Sequence, residues 1–332
     1  MKNNAWMKTL FVLCAAVLGA AVLLSLANGF GFARADGFVS GDAEIGSAVR
    51  NLEIDWTSGA VHIAYHSGNT VLVSEKADKA LREEDRLQWE LDGDTLRIRY
   101  QKPGIRLFSF NAPRKELTVT LPENTALGNV RIGGTSAALD VPALQADRLT
   151  LGSTSGDILA SAQARIVVCD LTSGDLTLRL AGAAEEVKLG STSGSLSLEA
   201  ESIGKAELGS TSGSISAVLA SADSFKAGST SGSVQAVLGQ VKRAEIGSTS
   251  GRISVEAGRL ETLTVDSTSG NVTAALPAEP GFTARLSTTS GRIEHGLPMT
   301  QQGNAYVCGD GSASVKIGTT SGSITVTGTA AK

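Results

Sequence analysis

The chain has 332 residues, a formal net charge of −4, 38 glycines, 3 cysteines and an apolar fraction of 42%, with aromatic residues at only 4%. Val, Ile, Leu and Ala are abundant enough to build a core, which excludes disorder and points to a mildly acidic, β-rich protein. Lys and Arg are scattered along the chain, so the clustered basic footprint of a nucleic-acid partner is missing.

Lys2 and Lys8 precede an uncharged run of 25 positions, residues 9–33. At about 1.5 Å per helical residue the run exceeds the roughly 30 Å hydrocarbon core, so one N-terminal transmembrane helix is expected. The lysines before it place residues 1–8 in the cytoplasm as a short tail and the rest of the chain outside the membrane, single-pass. Ala33-Arg34-Ala35 has the small-x-small form of a signal-peptidase site, so the alternative is a secreted protein cleaved after Ala35. The length of the apolar stretch favours an uncleaved signal-anchor. Cys14 follows Leu13, where lipidation needs a small residue, and reads as membrane packing.

Residues 51–63, NLEIDWTSGAVHI, alternate apolar and polar on both sides of Thr57-Ser58-Gly59 and read as a first rung. Strand-like segments follow at 70–74, 86–91, 95–100 and 116–121, with a Pro103-Gly104 turn between the last two. They hold many of the charges and aromatics, as expected of a cap over the end of a repeat array. Residues 37–128 are therefore assigned to the first rung and an N-terminal cap, and residues 129–332 to the array.

Self-similarity decides the architecture of that array. Thr-Ser-Gly ends at Gly156, Gly174, Gly194, Gly213, Gly232, Gly251, Gly270, Gly291 and Gly322, with successive spacings of 18, 20, 19, 19, 19, 19, 21 and 31. A degenerate copy, Thr135-Ser136-Ala137, precedes them, and Gly59 ends the outlying one. Two, four and six residues after each glycine stand mostly aliphatic residues, such as Ile215, Ala217 and Leu219. Five residues before each glycine stands another apolar column, such as Leu208 and Ile246. Period two means strand. Each repeat is expected to supply two short strands around a Gly-Ser-Thr-Ser-Gly corner, and rungs stacked at about 4.8 Å merge their columns into one core. The expected fold class is an all-β, single-stranded, β-helix-like solenoid of about ten rungs with 18–21-residue repeats. The marker glycines are expected to take positive φ at the corner, and the Thr and Ser to form stacked hydroxyl ladders.

NLEIDWTSGAVHI, KELTVTLPENTALGNVRIGG, the GSTSGSISA-type repeats and the closing GSASVKIGTTSGSITV resemble a family of bacterial β-strand-repeat domains of unknown function that is labelled putative adhesin. The resemblance covers nearly the whole exported part. It implies an extracytoplasmic β-solenoid with surface or envelope partners, and it carries over no functional residue.

Chemistry-bearing residues do not converge in the sequence. Elongated β-helices include polysaccharide lyases, but the position after the marker glycine runs Asp157, Asp175, Ser195, Ser214, Ser233, Arg252, Asn271, Arg292, Ser323, a mixture suited to solvated surface. His62 and His66 flank the first strand and His295 occupies a usually aliphatic column; none has the companions of a metal site. Calcium-binding Gly-Gly-x-Gly-x-Asp repeats are absent. Cys169 stands in an inward column, whereas Cys308, near Gly309-Asp310-Gly311, reads as an exposed thiol. They lie six rungs apart and are not expected to pair. A Thr-ladder ice surface would need two outward Thr columns on a strand, and Thr here sits beside Ser at a corner. No catalytic residue, metal or cofactor is expected. The functional expectation is a membrane-anchored, non-enzymatic, adhesin-like binding or scaffold module for an envelope or surface ligand, protein or polysaccharide. The alternatives are an envelope-stress-sensing ectodomain acting through a membrane partner, and a carbohydrate-active β-helix enzyme.

Overall fold

The computed structural model describes residues 37–46, 48–101 and 113–329. The expected tail and transmembrane segment and the cleavage position after Ala35 lie outside the described residues, among which no helix is long and apolar enough to cross a membrane. The described residues are all-β, with one 3-10 turn at Glu83–Asp85. The backbone divides near residue 180 into two compact units.

The first unit contains β1 (Val39–Ser40), β2 (Ala43–Ile45), β3 (Asn51–His66), β4 (Val71–Ala77), β5 (Gln88–Asp92), β6 (Thr95–Arg99), β7 (Lys115–Pro122), β8 (Ala126–Ser153) and β9 (Ile158–Leu171). β9 pairs parallel with the second half of β8, and β8 pairs parallel with β3 from Leu52↔Val130 to His62↔Asp140. On its other edge β3 pairs parallel with β6 and β7, Asn51↔Thr95 and Gly59↔Lys115. β6 and β7 make a rung that follows β3 in the chain and lies outside it in space.

That outer rung is closed over both its halves, because β5 pairs with β6 and β4 with β7, both antiparallel. An uncovered rung would leave ladder groups and an apolar face open to water. Here Leu96, Ile98, Leu117, Val119 and Leu121 are fully buried.

The chain beyond carries β10 (Leu176–Ser191), β11 (Leu196–Ser210), β12 (Ile215–Ser229), β13 (Val234–Ser248), β14 (Ile253–Ser267), β15 (Val272–Leu276), β16 (Gly281–Thr288), β17 (Ile293–His295), β18 (Thr300–Gln302), β19 (Ala305–Gly309), β20 (Ala313–Thr319) and β21 (Ile324–Gly328). β11 to β14 stack parallel with a constant offset of 19 residues, Leu196↔Ile215↔Val234↔Ile253. The expected two short strands per repeat are one bent strand of 15 residues. Its inward alternation slips at the bend, where Ala200, Ile203 and Ala206 are buried three residues apart. The slip turns the strand without ending it.

The last rungs do not follow chain order. β14 and β15 pair with β20 and β21 (Val265↔Ile317, Val272↔Ile324), and these pair in turn with β16 and β17 (Leu286↔Ile317, Ile293↔Ile324). The rung of Gly322 thus lies between those of Gly270 and Gly291. Burial explains the choice. Val315, Ile317, Ile324 and Val326 are 0–2% exposed inside the stack, and each apolar side chain removed from water contributes about 1.5–3 kcal/mol. The rung of Gly291 carries Arg285, Arg292, Glu294 and His295, all exposed, and tolerates the end.

Candidate functional site

The marker positions form a continuous column in each unit. A Cβ built on Gly156 would collide with the carbonyl of Ala137, and one on Gly213, Gly232, Gly251, Gly270, Gly322 or Gly291 with the carbonyl of Gly194, Gly213, Gly232, Gly251, Gly270 or Gly322 respectively. The expected positive φ occurs at Gly59 (106°) and Gly174 (110°). At the seven former positions φ is not positive, and glycine is required because successive rungs approach within the space a methyl group would fill.

The hydroxyl that organises the corner is one the tripeptide motif passes over, three residues before the glycine. Ser153, Ser191, Ser210, Ser229 and Ser248 each accept the marker glycine's N–H at 2.8 Å, and Ser267 does so at 2.9 Å. Ser229 and Ser248 donate onward to the carbonyls of Gly213 and Gly232. Thr288 and Thr319 repeat this with Gly322 and Gly270. The Thr and Ser of the motif point outward instead. Thr211, Ser212, Thr230, Ser231, Thr249 and Ser250 are exposed, and their backbone N–H groups bond to the preceding rung.

The bends opposite the corners line a groove of about 520 Å³ in the second unit. Ile203, Ala222, Val241 and Leu260 are its buried aliphatic column. Beside them stand two columns in rung-to-rung succession: Ser202, Ser221, Gln240, Arg259, and Gly204, Asp223, Lys242, Glu261. Residues 276–282 and 312–315 close one end. Lys242 lies 2.6 Å from Asp223 and holds its carboxyl below the usual range, while Asp223 raises the Lys242 ammonium. An ionised carboxylate so held suits ligand binding better than proton donation. A 19-residue comb laid over Ile203, Ala222, Val241 and Leu260 would have marked this groove in the sequence.

The strongest buried polar cluster belongs to the end of the first unit. Lys115 is fully buried; its ammonium lies 2.8 Å from Glu75 and donates to the carbonyls of Asp85 (2.9 Å) and Tyr100. It sits 4.1 Å from the Tyr100 ring centre and 5.0 Å from that of Trp56, whose indole N–H donates to the Lys115 carbonyl at 3.0 Å. Burial pulls the Lys115 pKa down and Glu75 opposes it. The other Glu75 oxygen accepts the Leu87 N–H. These contacts tie β3, β4 and β7 together and close the core where the outer rung has no Thr-Ser-Gly corner.

Cys169 and Cys308 are free thiols and both are buried, which corrects the exposed reading of Cys308. β19 pairs with β16 and carries Cys308 inward opposite Phe282. His62 lies 3.4 Å from Asp140, His66 is 2.7 Å from the Thr70 carbonyl, and His295 packs against Tyr306. Among the described residues no three His, Cys, Asp or Glu side chains are placed to hold a metal.

Parallel rungs bonded through repeated glycine corners define an all-β, solenoid-like repeat domain. The chain belongs to the Toastrack DUF4097 family, which it matches over residues 49–244 and 229–327. No curated protein matches it. Among solved structures it is similar to a putative adhesin from Parabacteroides distasonis, with 12% identity over 72% of this chain and 98% of that one and a TM-score of 0.48. It is also similar to a putative lipid binding protein from the same organism, with 17% identity, 88% and 97% coverage and a TM-score of 0.38. A putative adhesin from Bacteroides fragilis shares 11% identity over 89% and 98%, with a TM-score of 0.31.

Proposed function

We propose that the chain is a non-enzymatic binding module of the bacterial cell envelope, held at the membrane by residues 9–33 and presenting its repeat domain to an envelope or surface ligand, protein or polysaccharide. The observation that carries this reading is the groove along the bends of β11 to β14. Four rungs offer hydroxyl, amide, carboxylate and cationic groups there at a fixed repeat of about 4.8 Å. Such a surface matches an elongated polar ligand through many weak, evenly spaced contacts and needs no activated nucleophile. The 25 uncharged residues at 9–33 support the anchor.

The test is retention of fractionated envelope proteins and wall polymers on the immobilised full-length chain. The expected result is one saturable partner whose capture drops at least tenfold when Lys242→Glu and Arg259→Glu are combined. Equal capture by wild type and variant would remove the groove from the reading, and release of soluble sugar from a retained polymer would make the protein an enzyme. Membrane fractionation of the full chain against a deletion of residues 9–33 tests the anchor separately.

A further inference from the structure

The outer rungs of the two units are finished differently. At the end of the first unit both halves of the outer rung are covered by antiparallel strands. At the end of the second unit β19 covers only Gly281 to Ala284 of β16. Among the described residues, Leu286 to Thr288 and β17 are paired on one side alone, to β20 and β21. Two apolar columns open at this point. Val265 and Ile317, in the column of Leu286, and Val272 and Ile324, in the column of Ile293, are each fully buried, whereas Leu286 and Ile293 are half-buried.

We propose that this edge, residues 286–295, is a homodimer interface at which a second copy of the chain continues the ladder across a two-fold axis. The occupant follows from how rungs fit. The same edge on a second copy is free, and two identical edges meeting about a two-fold axis run antiparallel and close the assembly.

The bent rung allows both halves to pair only when the axis passes by the Thr289-Ser290-Gly291 corner. An axis between Ser290 and Gly291 sets Leu286 opposite His295 of the partner subunit and Thr288 opposite Ile293 of the partner subunit. Inward positions then face inward positions, as the pleat requires. The same register brings Glu294 diagonally beside Arg285 of the partner subunit, within reach of an opposite-charge contact. Arg285 and Glu294 thus become complementary across the axis, and the half-buried Leu286 and Ile293 lose their remaining contact with water.

The test is position-specific crosslinking in the full-length chain. Ser290→Cys and, as a control from the interior of the stack, Ser231→Cys are oxidised with copper phenanthroline and run on non-reducing gels. The expected result is a band of twice the chain mass for Ser290→Cys at least tenfold above that for Ser231→Cys, abolished when Ile293→Lys is added. Circular dichroism spectra of Ile293→Lys should match the parent. Glu294→Arg, which sets like charges against Arg285, should weaken the band, and adding Arg285→Glu should restore it. Equal crosslinking at Ser290→Cys and Ser231→Cys, or a crosslink to a chain of different mass, would overturn the proposal.

Discussion

The Oγ of Ser229 accepts the Gly232 N–H at 2.8 Å and lies 3.2 Å from the Gly213 carbonyl to which it donates. One buried hydroxyl therefore closes its own corner and joins it to the rung before. Ser229→Ala leaves a buried N–H and a buried carbonyl short of a partner, and a loss of about 1–3 kcal/mol is expected. Thr230→Ala and Ser231→Ala, at exposed positions of the same corner, are expected to stay within about 0.5 kcal/mol of wild type. Urea denaturation of the four proteins checks the order.

Gly232→Ala should be worse than Ser229→Ala. The added methyl group meets the Gly213 carbonyl, and backbone held in a ladder on both sides can yield only by separating rungs. A loss above about 3 kcal/mol is expected. Gly93→Ala is the contrasting case. Its φ is 61° and nothing lies near the added carbon, so its cost is backbone strain alone, about 1–2 kcal/mol. Unfolding midpoints separate the two mechanisms.

Asp170 provides a pH dependence. It stands on β9 four residues before Gly174, where many other repeats have glycine, and burial raises its carboxyl from 3.8 to about 6. Between those values the folded chain holds a proton that the unfolded chain has released. This contribution to stability is therefore full below about pH 4 and is lost as pH rises through 6. Asp170→Asn removes the titration. Relative to wild type it should gain on the order of 1–3 kcal/mol on going from pH 4 to pH 7.5. Urea unfolding of both proteins at the two pH values gives that difference directly, and a constant difference would exclude Asp170 as its source.

The buried pair in the first unit should behave unlike a surface ion pair. Lys115→Met leaves the Glu75 carboxylate buried without its cation, at an expected cost of about 3–5 kcal/mol. Adding Glu75→Gln removes the stranded charge and should recover part of that loss. The exposed Arg165–Asp147 pair, 2.8 Å apart, is screened by solvent, and breaking it by Arg165→Ala should cost far less than Lys115→Met. Thermal unfolding of the three variants checks the contrast.

Truncation after residue 312 tests the order of the rungs. If the last repeat merely ended the stack, its removal would trim one layer and leave the rest intact. Because β20 and β21 lie between β14–β15 and β16–β17, their loss takes an inner layer and strands β16. The expected result is proteolysis that proceeds past Gly281 at protease levels the whole chain resists.

Much of the fold is legible in the sequence. The 19-residue spacing exposed the rungs, and period-two alternation around residues such as Ile215, Ala217 and Leu219 named the inward face. Alternation could not show that each repeat is one continuous strand, because three-residue steps such as Ala200 to Ile203 and Ile203 to Ala206 look like a break in the pattern. The candidate groove was hidden for the same reason, since its polar columns lie at those steps. Ser229 and its equivalents carry no distinguishing signal, because a serine buried by its hydrogen bonds reads, in sequence, like any other residue of a polar corner.

The sequence by itself determined the family of rungs, the composition of the core and the places where glycine recurs, since each is a local regularity repeated along the chain. Only the tertiary structure decided which rungs are neighbours. Close approach of stacked carbonyls, not local φ, sets most of the glycines, and burying the more apolar of the last two rungs while leaving the more charged one outside puts Gly322 between Gly270 and Gly291. Contacts of this kind join residues 31 and 52 positions apart, and no repeat read in chain order contains them.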